Sequence, residues 1–386
     1  MHVPDTGRRS IKITSKLLTV LQLIVCPLRS QTAPGESAFL EWNARYQCGK
    51  QHYQRAELSE AEGCYRSALA IAEQFARGDS RRGATLSELG LVLLEEGRIS
   101  DAEWAGSKAV EAYRECGAAR CGLGLATAMY SLANLYLQQN RRLEAERLLR
   151  EALVQHTRAG GDETGTASIL DGLGWLELNR GRPGAAESYF RRALALVGDI
   201  EGFAKTRGRL YTSLAFALLE LNRARDAVEA ARKAFTIAST ASVIDPSAIV
   251  FAVGAFAAAS VEIGDYALAE RSLTHAEKML SQIPAAQPRE LGLILIEFGK
   301  LRYFQKRFAE AAEFHSRGIE ILSRYLSADH PNILRSKANY AKVLRKLKRN
   351  QEAKRVEQEI RTASRQAIID PDAKYRIDAA DLQRRR

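Results

Sequence analysis

The chain has 386 residues, 46% of them hydrophobic and 27% charged, with 27 Gly and 9 Pro. That is enough apolar chain to bury a core, which excludes a disordered or collagen-like protein, and no run of 18 apolar residues is present to suggest a polytopic membrane protein. The formal charge of +11 gathers at the ends, +4 over residues 1–33 and +9 over residues 334–386, so the body is nearly neutral and is not a basic domain.

In chain order, Arg8, Arg9, Lys12 and Lys16 precede an apolar stretch from Leu17 to Leu28, followed by a polar segment with a small-residue exit at Ala33. This is the layout of a secretory signal peptide over residues 1–33, and it predicts a periplasmic or secreted bacterial protein. A helix of about twelve residues rises only about 18 Å, too little for a bilayer core of about 30 Å. Cys26 follows Leu-Ile-Val and lacks the small residue of a lipoprotein site. If the leader is not cleaved, the chain is cytoplasmic.

From there a repeat sets the pattern. Segments aligned on Ala61, Ala102, Ala145, Ala186, Ala227, Ala269, Ala311 and Ala353 recur at spacings of 41 to 43 residues. Twelve residues before each alanine sits a small residue: Gly49, Gly90, Ala133, Gly174, Ala215, Ala257, Gly299 and Ala341. Seven residues after it comes another (Ala68, Ala109, Ala152, Ala193, Ala234, Ala276, Gly318), with Ile360 the exception. Each unit therefore reads as two amphipathic helices joined by a tight turn. Small residues let the two backbones approach to the close end of the 8–10 Å range. Pro183, Pro246 and Pro331 suit the first turn of helices. A lone hairpin cannot bury both its apolar faces, so the units must stack.

These small-apolar positions resemble the tetratricopeptide repeat, most clearly in Leu170, Leu173, Gly174, Ala186, Phe190 and Ala193. The longer period and the Asp329-His330-Pro331-Asn332 lead are similar to its kinesin-light-chain-like subclass of about 42 residues. The resemblance implies an all-α, right-handed superhelix (an α-solenoid) of about eight units over residues 37–365. The units lie near 42–82, 83–125, 126–166, 167–207, 208–249, 250–291, 292–333 and 334–365, with a loose tail over 366–386.

Catalytic patterns are absent: there is no phosphate loop, no HExxH and no Gly-x-Ser-x-Gly. Gly172 and Gly174 belong to the packing register, so no cofactor is expected. The six His fall in different units without ligand spacing, so no metal is expected either. Of the five Cys, Cys26 would leave with a leader, and Cys48, Cys64, Cys116 and Cys121 would remain. Cys48 and Cys64 lie at matching heights on opposite helices of unit one, and Cys116 and Cys121 flank Gly117, so two disulfides fit an oxidising compartment. Free cysteines buried as small hydrophobes are the alternative.

The resemblance further implies a non-catalytic scaffold that binds a peptide or protein segment on the concave face lined by each unit's first helix. In that register the face includes Tyr130, Asn134, Leu137, Asp171, Trp175, Leu178, Phe216, Leu219, Phe251, Ile296, Lys300 and Tyr303, with Lys342, Arg345 and Lys346 towards the end. Such a face suits a partner with apolar anchors and an acidic end. Two alternatives remain at this stage: a peptide-responsive cytoplasmic sensor, and nucleic-acid binding through the basic last unit (Lys337, Lys342, Arg345, Lys346, Lys348, Arg349).

Overall fold

The computed structural model describes residues 34–369 apart from 56, 140, 241–244 and 284–287. The leader expected over residues 1–33 lies outside the described residues, as does the tail beyond Ile369.

Sixteen α-helices and no strand occur among the described residues. They form eight antiparallel hairpins: α1 (Pro34–Gln54) with α2 (Leu58–Ala72), α3 (Ser80–Glu95) with α4 (Ile99–Cys116), α5 (Ala118–Gln138) with α6 (Arg142–Arg158), and α7 (Glu163–Asn179) with α8 (Pro183–Val197). The series continues with α9 (Ala204–Glu220) and α10 (Ala224–Thr240), α11 (Pro246–Glu262) and α12 (Tyr266–Ser281), α13 (Pro288–Phe304) and α14 (Phe308–Leu322), and α15 (Pro331–Lys346) and α16 (Asn350–Ile369). The first helix starts before the expected unit boundary at 42, and the last runs past 365.

All eight marker alanines are buried. The position twelve residues earlier works in concert with the residue sixteen further on. Gly49 lies under the Tyr65 ring, Gly174 under Phe190 and Gly299 under His315, each so close that a Cβ would fall within 3.0 Å of the ring. Where this position is Ala133 or Ala257, the residue opposite is the smaller Leu149 or Leu273. Burial pushes the imidazole of His315 down to a pKa of about 4, so at neutral pH it packs as an uncharged ring.

The turns inside the hairpins share one chemistry. A residue with positive φ ends the first helix of the pair: Gly97, Gly181, Asn222, Gly264, Lys306 and Lys348. The next residue donates its N–H to the carbonyl five back, as from Arg98 to Leu93, Arg182 to Glu177 and Arg307 to Arg302, all at 2.9 Å. This double closure satisfies helix-end carbonyls. Between hairpins, Asp79, Asp162 and Asp245 accept backbone N–H groups at the starts of α3, α7 and α11, and His330 Nδ1 does so at α15.

First helices touch the first helices of the next hairpin (α5 with α7, α7 with α9, α9 with α11, α11 with α13). The stack therefore curves with the first helices on its inner side, because helices on the inside of a bend are the closer ones. The curvature brings distant units together. Arg289, at the start of α13, places Nη1 2.6 Å from Glu95 Oε2 at the end of α3, across 194 positions of sequence. Gly97 abuts Ser327 and His330 at the same place. The all-α repeat superhelix thus returns on itself within the length of this chain.

Candidate functional site

The inner face is built by four rows of side chains, one residue per row from each first helix. Counted from the small residue, the rows lie six and three positions before it and one and four positions after it. Position −6 holds Thr127, Ser168, Arg209 and Phe251; position −3 holds Tyr130, Asp171, Thr212 and Ile296. Position +1 holds Asn134, Trp175, Phe216 and Lys300; position +4 holds Leu137, Leu178, Leu219 and Tyr303.

The structure separates these rows by exposure. Asp171 is 3% exposed and Ile296 4%, so neither is open to a partner, contrary to the sequence expectation. The reason is that position −3 is covered by neighbouring elements: Asp171 meets Arg209 of α9, and Ile296 packs with Leu322 of α14, Leu326 just after it and Ile333 of α15. Position −6, by contrast, opens outward, with Phe251 60% exposed and the Arg209 side chain 41% exposed.

Arg209 ties three consecutive first helices together. Its Nη1 donates to Tyr130 Oη at 2.8 Å and Asp171 Oδ2 at 2.7 Å, and its Nη2 to Ser168 Oγ at 2.9 Å. Burial pushes the Asp171 carboxyl up and the Arg209 charge opposes that shift. The second Asp171 oxygen, Oδ1, is buried without a hydrogen-bond partner. One turn further along, Trp175 Nε1 donates to Ser213 Oγ at 3.0 Å, and its ring lies 5.7 Å from Phe216 and 6.3 Å from Phe190. Trp175 and Phe216 therefore spend much of their surface joining α7 to α9 and keep only part of it open. Tyr303 likewise stacks edge-on with Phe304 and Phe308, and Lys300 pairs with Glu297 at 2.6 Å. Asn134 and Leu219 are half-buried in the same rows.

Sequence reasoning missed Arg209. The signal available was its position, one period of 42 residues before the already chosen Phe251. The basic last unit is less charged than it reads: Lys337 pairs with Glu359, Arg345 with Glu357 and Arg349 with Glu352. No helix among the described residues is long and apolar enough to cross a membrane. Cys48 is bonded to Cys64 and Cys116 to Cys121, with Cα–Cα distances of 5.9 and 6.0 Å.

Residues 124–197 and 290–366 match the family model described as tetratricopeptide repeat, which places the match on hairpins α5–α8 and α13–α16. Over these segments the chain is built of tetratricopeptide repeats. The hairpins outside the matched segments repeat the same small positions and the same turn, so the repeat runs through the whole array. Among solved structures, this repeat protein is similar to the apo form of the quorum sensor NprR from B. thuringiensis, at 12% identity over 83% of this chain and 87% of that one, with a TM-score of 0.59. It is also similar to the Rap conjugation gene regulator of plasmid pLS20 in complex with the Phr* peptide, at 13% identity over 78% of both chains and a TM-score of 0.58. The apo form of RapI matches at 14% identity over 73% of this chain and 97% of that one, with a TM-score of 0.54. At these identities the likeness is one of fold. No curated protein matches the sequence.

Proposed function

We propose that this repeat protein binds a peptide, or an extended segment of a larger protein, along the inner face of its superhelix, and acts by binding without catalysis. The observation that carries the reading is the pair Arg209 and Phe251: equivalent positions on adjacent first helices, one an accessible cation and the other a large apolar side chain 60% exposed. An exposed aromatic supplies anchor energy when a partner covers it, and an Arg held in place by neighbours accepts a carboxylate at small entropic cost. The ligand chemistry that fits is an apolar side chain and an acidic group separated by roughly one helix spacing, about 10 Å. The fold shared with a regulator solved holding a peptide supports the same reading.

Selection of a random peptide library on the immobilised full chain tests it. Peptides combining an apolar residue with Asp or Glu should be enriched, and Phe251→Glu, at a side chain 60% exposed, should weaken their binding at least tenfold. Enrichment that is indifferent to Phe251→Glu would remove the inner face from the proposal.

A second reading, a regulator whose pitch responds to its ligand, is favoured by one contact. The Glu95–Arg289 pair joins successive turns of the superhelix, so an occupant that alters the curvature must strengthen or break it. The pairing of Lys337, Arg345 and Arg349 with carboxylates favours a protein partner over nucleic acid.

A further inference from the structure

The described residues contain one place where three side chains of metal-ligating type converge, and it is remote from the inner-face rows. Cys48 and His52 lie one turn apart on α1, and Cys64 meets them from α2; their ligand atoms all fall within 4.8 Å of one another. The three residues follow no familiar ligand spacing along the chain, and only the folded hairpin brings His52 to the two cysteines. Glu57, just before α2, lies 2.6 Å from His52 Nδ1. With the Nδ1 proton donated to that carboxylate, Nε2 keeps the free lone pair, the arrangement by which second-layer carboxylates orient metal-bound histidines. A tetrahedral zinc ion with sulfur ligands at ~2.3 Å and a nitrogen ligand at ~2.0 Å needs donor atoms roughly 3.5–3.8 Å apart. Small side-chain rotations from the observed cluster supply that once the sulfurs are no longer bonded to each other. All three residues are half-buried, which leaves room for water as a fourth ligand.

We infer that the first hairpin has two alternative staples: the Cys48–Cys64 disulfide under oxidising conditions, and a thiophilic divalent cation of the zinc type held by Cys48, Cys64 and His52 under reducing ones. The two exclude each other, since the cation needs both thiolates. Passing from one to the other takes two electrons and two protons from a dithiol, which itself becomes a disulfide. Cation binding then displaces the two thiol protons. Among the described residues the first hairpin has one sequence neighbour, α3, packed against α2, so a staple between α1 and α2 adds directly to its closure. Cys116 and Cys121 have no histidine in such a cluster and serve as the internal control.

The test uses the full chain, reduced with a water-soluble phosphine without oxygen and titrated with Co²⁺ and then Zn²⁺. One equivalent of Co²⁺ should produce sulfur-to-metal charge-transfer absorption and the ligand-field bands of a tetrahedral site, and Zn²⁺ should displace it. The oxidised chain should show neither. His52→Gln, which keeps both cysteines and the fold they staple, should weaken binding at least tenfold, and Glu57→Gln by about 10- to 100-fold. Cys116→Ser with Cys121→Ser should change nothing. Absence of the charge-transfer band at one equivalent would overturn the inference. So would full affinity in His52→Gln, or a band lost with the control pair instead of with Cys48→Ser.

Discussion

A glycine and an aromatic ring sixteen residues apart explain much of how these hairpins close. Gly174 has no Cβ because one would stand 2.3 Å from Phe190 Cε1, and units one and seven repeat the device with Gly49 beneath Tyr65 and Gly299 beneath His315. Units three and six reach the same closure with alanine and leucine, so two packings of similar total volume serve one backbone. Gly174→Ala should gain about 1 kcal/mol of helix propensity but lose more to overpacking, for a net loss of about 1–2 kcal/mol in urea unfolding. Combining it with Phe190→Leu reproduces the alanine–leucine units, and the double variant should be more stable than the sum of the two single effects. Strict additivity would mean that the ring and the glycine do not share one space.

Among the elements, the turns carry both the regularity and the strain. Arg98 reaches Glu62, Arg141 reaches Glu103, Arg223 reaches Glu187 and Arg302 reaches Glu270, so a turn-side arginine repeatedly grips a glutamate of the preceding hairpin. Arg180 does the same with Glu146. Apart from that of the buried Arg302, these pairs are partly exposed, each worth a fraction of 1 kcal/mol and weakened by salt. Their value lies in fixing the register of one hairpin on the next. The unit that begins at α11 has Asp265 in place of the turn arginine and Val228 where the partner glutamate would be, and before the last hairpin the partner position is Ala312 while Arg349 pairs with Glu352 of its own helix, so this rung is missing at two junctions. The left-handed turn position is glycine in three units but lysine in the last two. An L side chain there costs about 1 kcal/mol. Lys306→Gly, with φ of 61° at that residue, should therefore raise the calorimetric unfolding midpoint, by an amount equivalent to about 0.5–1 kcal/mol. A lowered midpoint would show that the lysine is held there by contacts that outweigh its backbone cost.

At the scale of the whole molecule, the superhelix meets itself. Arg289 is flanked by Glu95 on the earlier turn and by Glu290 beside it, at 2.6 and 3.0 Å. Burial first, then the negative charge of Glu95 and Glu88, pushes the Tyr53 hydroxyl up to a pKa of about 12, with Arg289 opposing the shift. A contact of this kind limits how far the inner face can open. Glu95→Gln removes the charge pair without touching any helix interior. If the pair contributes about 1 kcal/mol, the more open pitch gains about fivefold in population. Small-angle scattering should then report a larger radius of gyration, with unchanged helicity by circular dichroism. An unchanged radius would assign the pitch to packing between neighbouring hairpins alone.

The repeat, its eight units and the all-α architecture were legible in the sequence, because backbone approach between paired helices demands small residues at fixed spacing whatever the partner. The same local logic made the turns and several helix caps readable, since positive φ and unsatisfied N–H groups restrict residue choice position by position. The inner face was only half legible. Tyr130, Trp175, Phe216 and Phe251 were chosen from the register, but whether a position opens inward or is covered depends on the angle between successive hairpins. That angle buried Asp171 and Ile296 and exposed Arg209. The meeting of Cys48, His52 and Cys64, and of Glu95 with Arg289, likewise had to await the folded chain: each is a distance in space set by helix crossing and superhelical pitch, quantities that no single stretch of sequence carries.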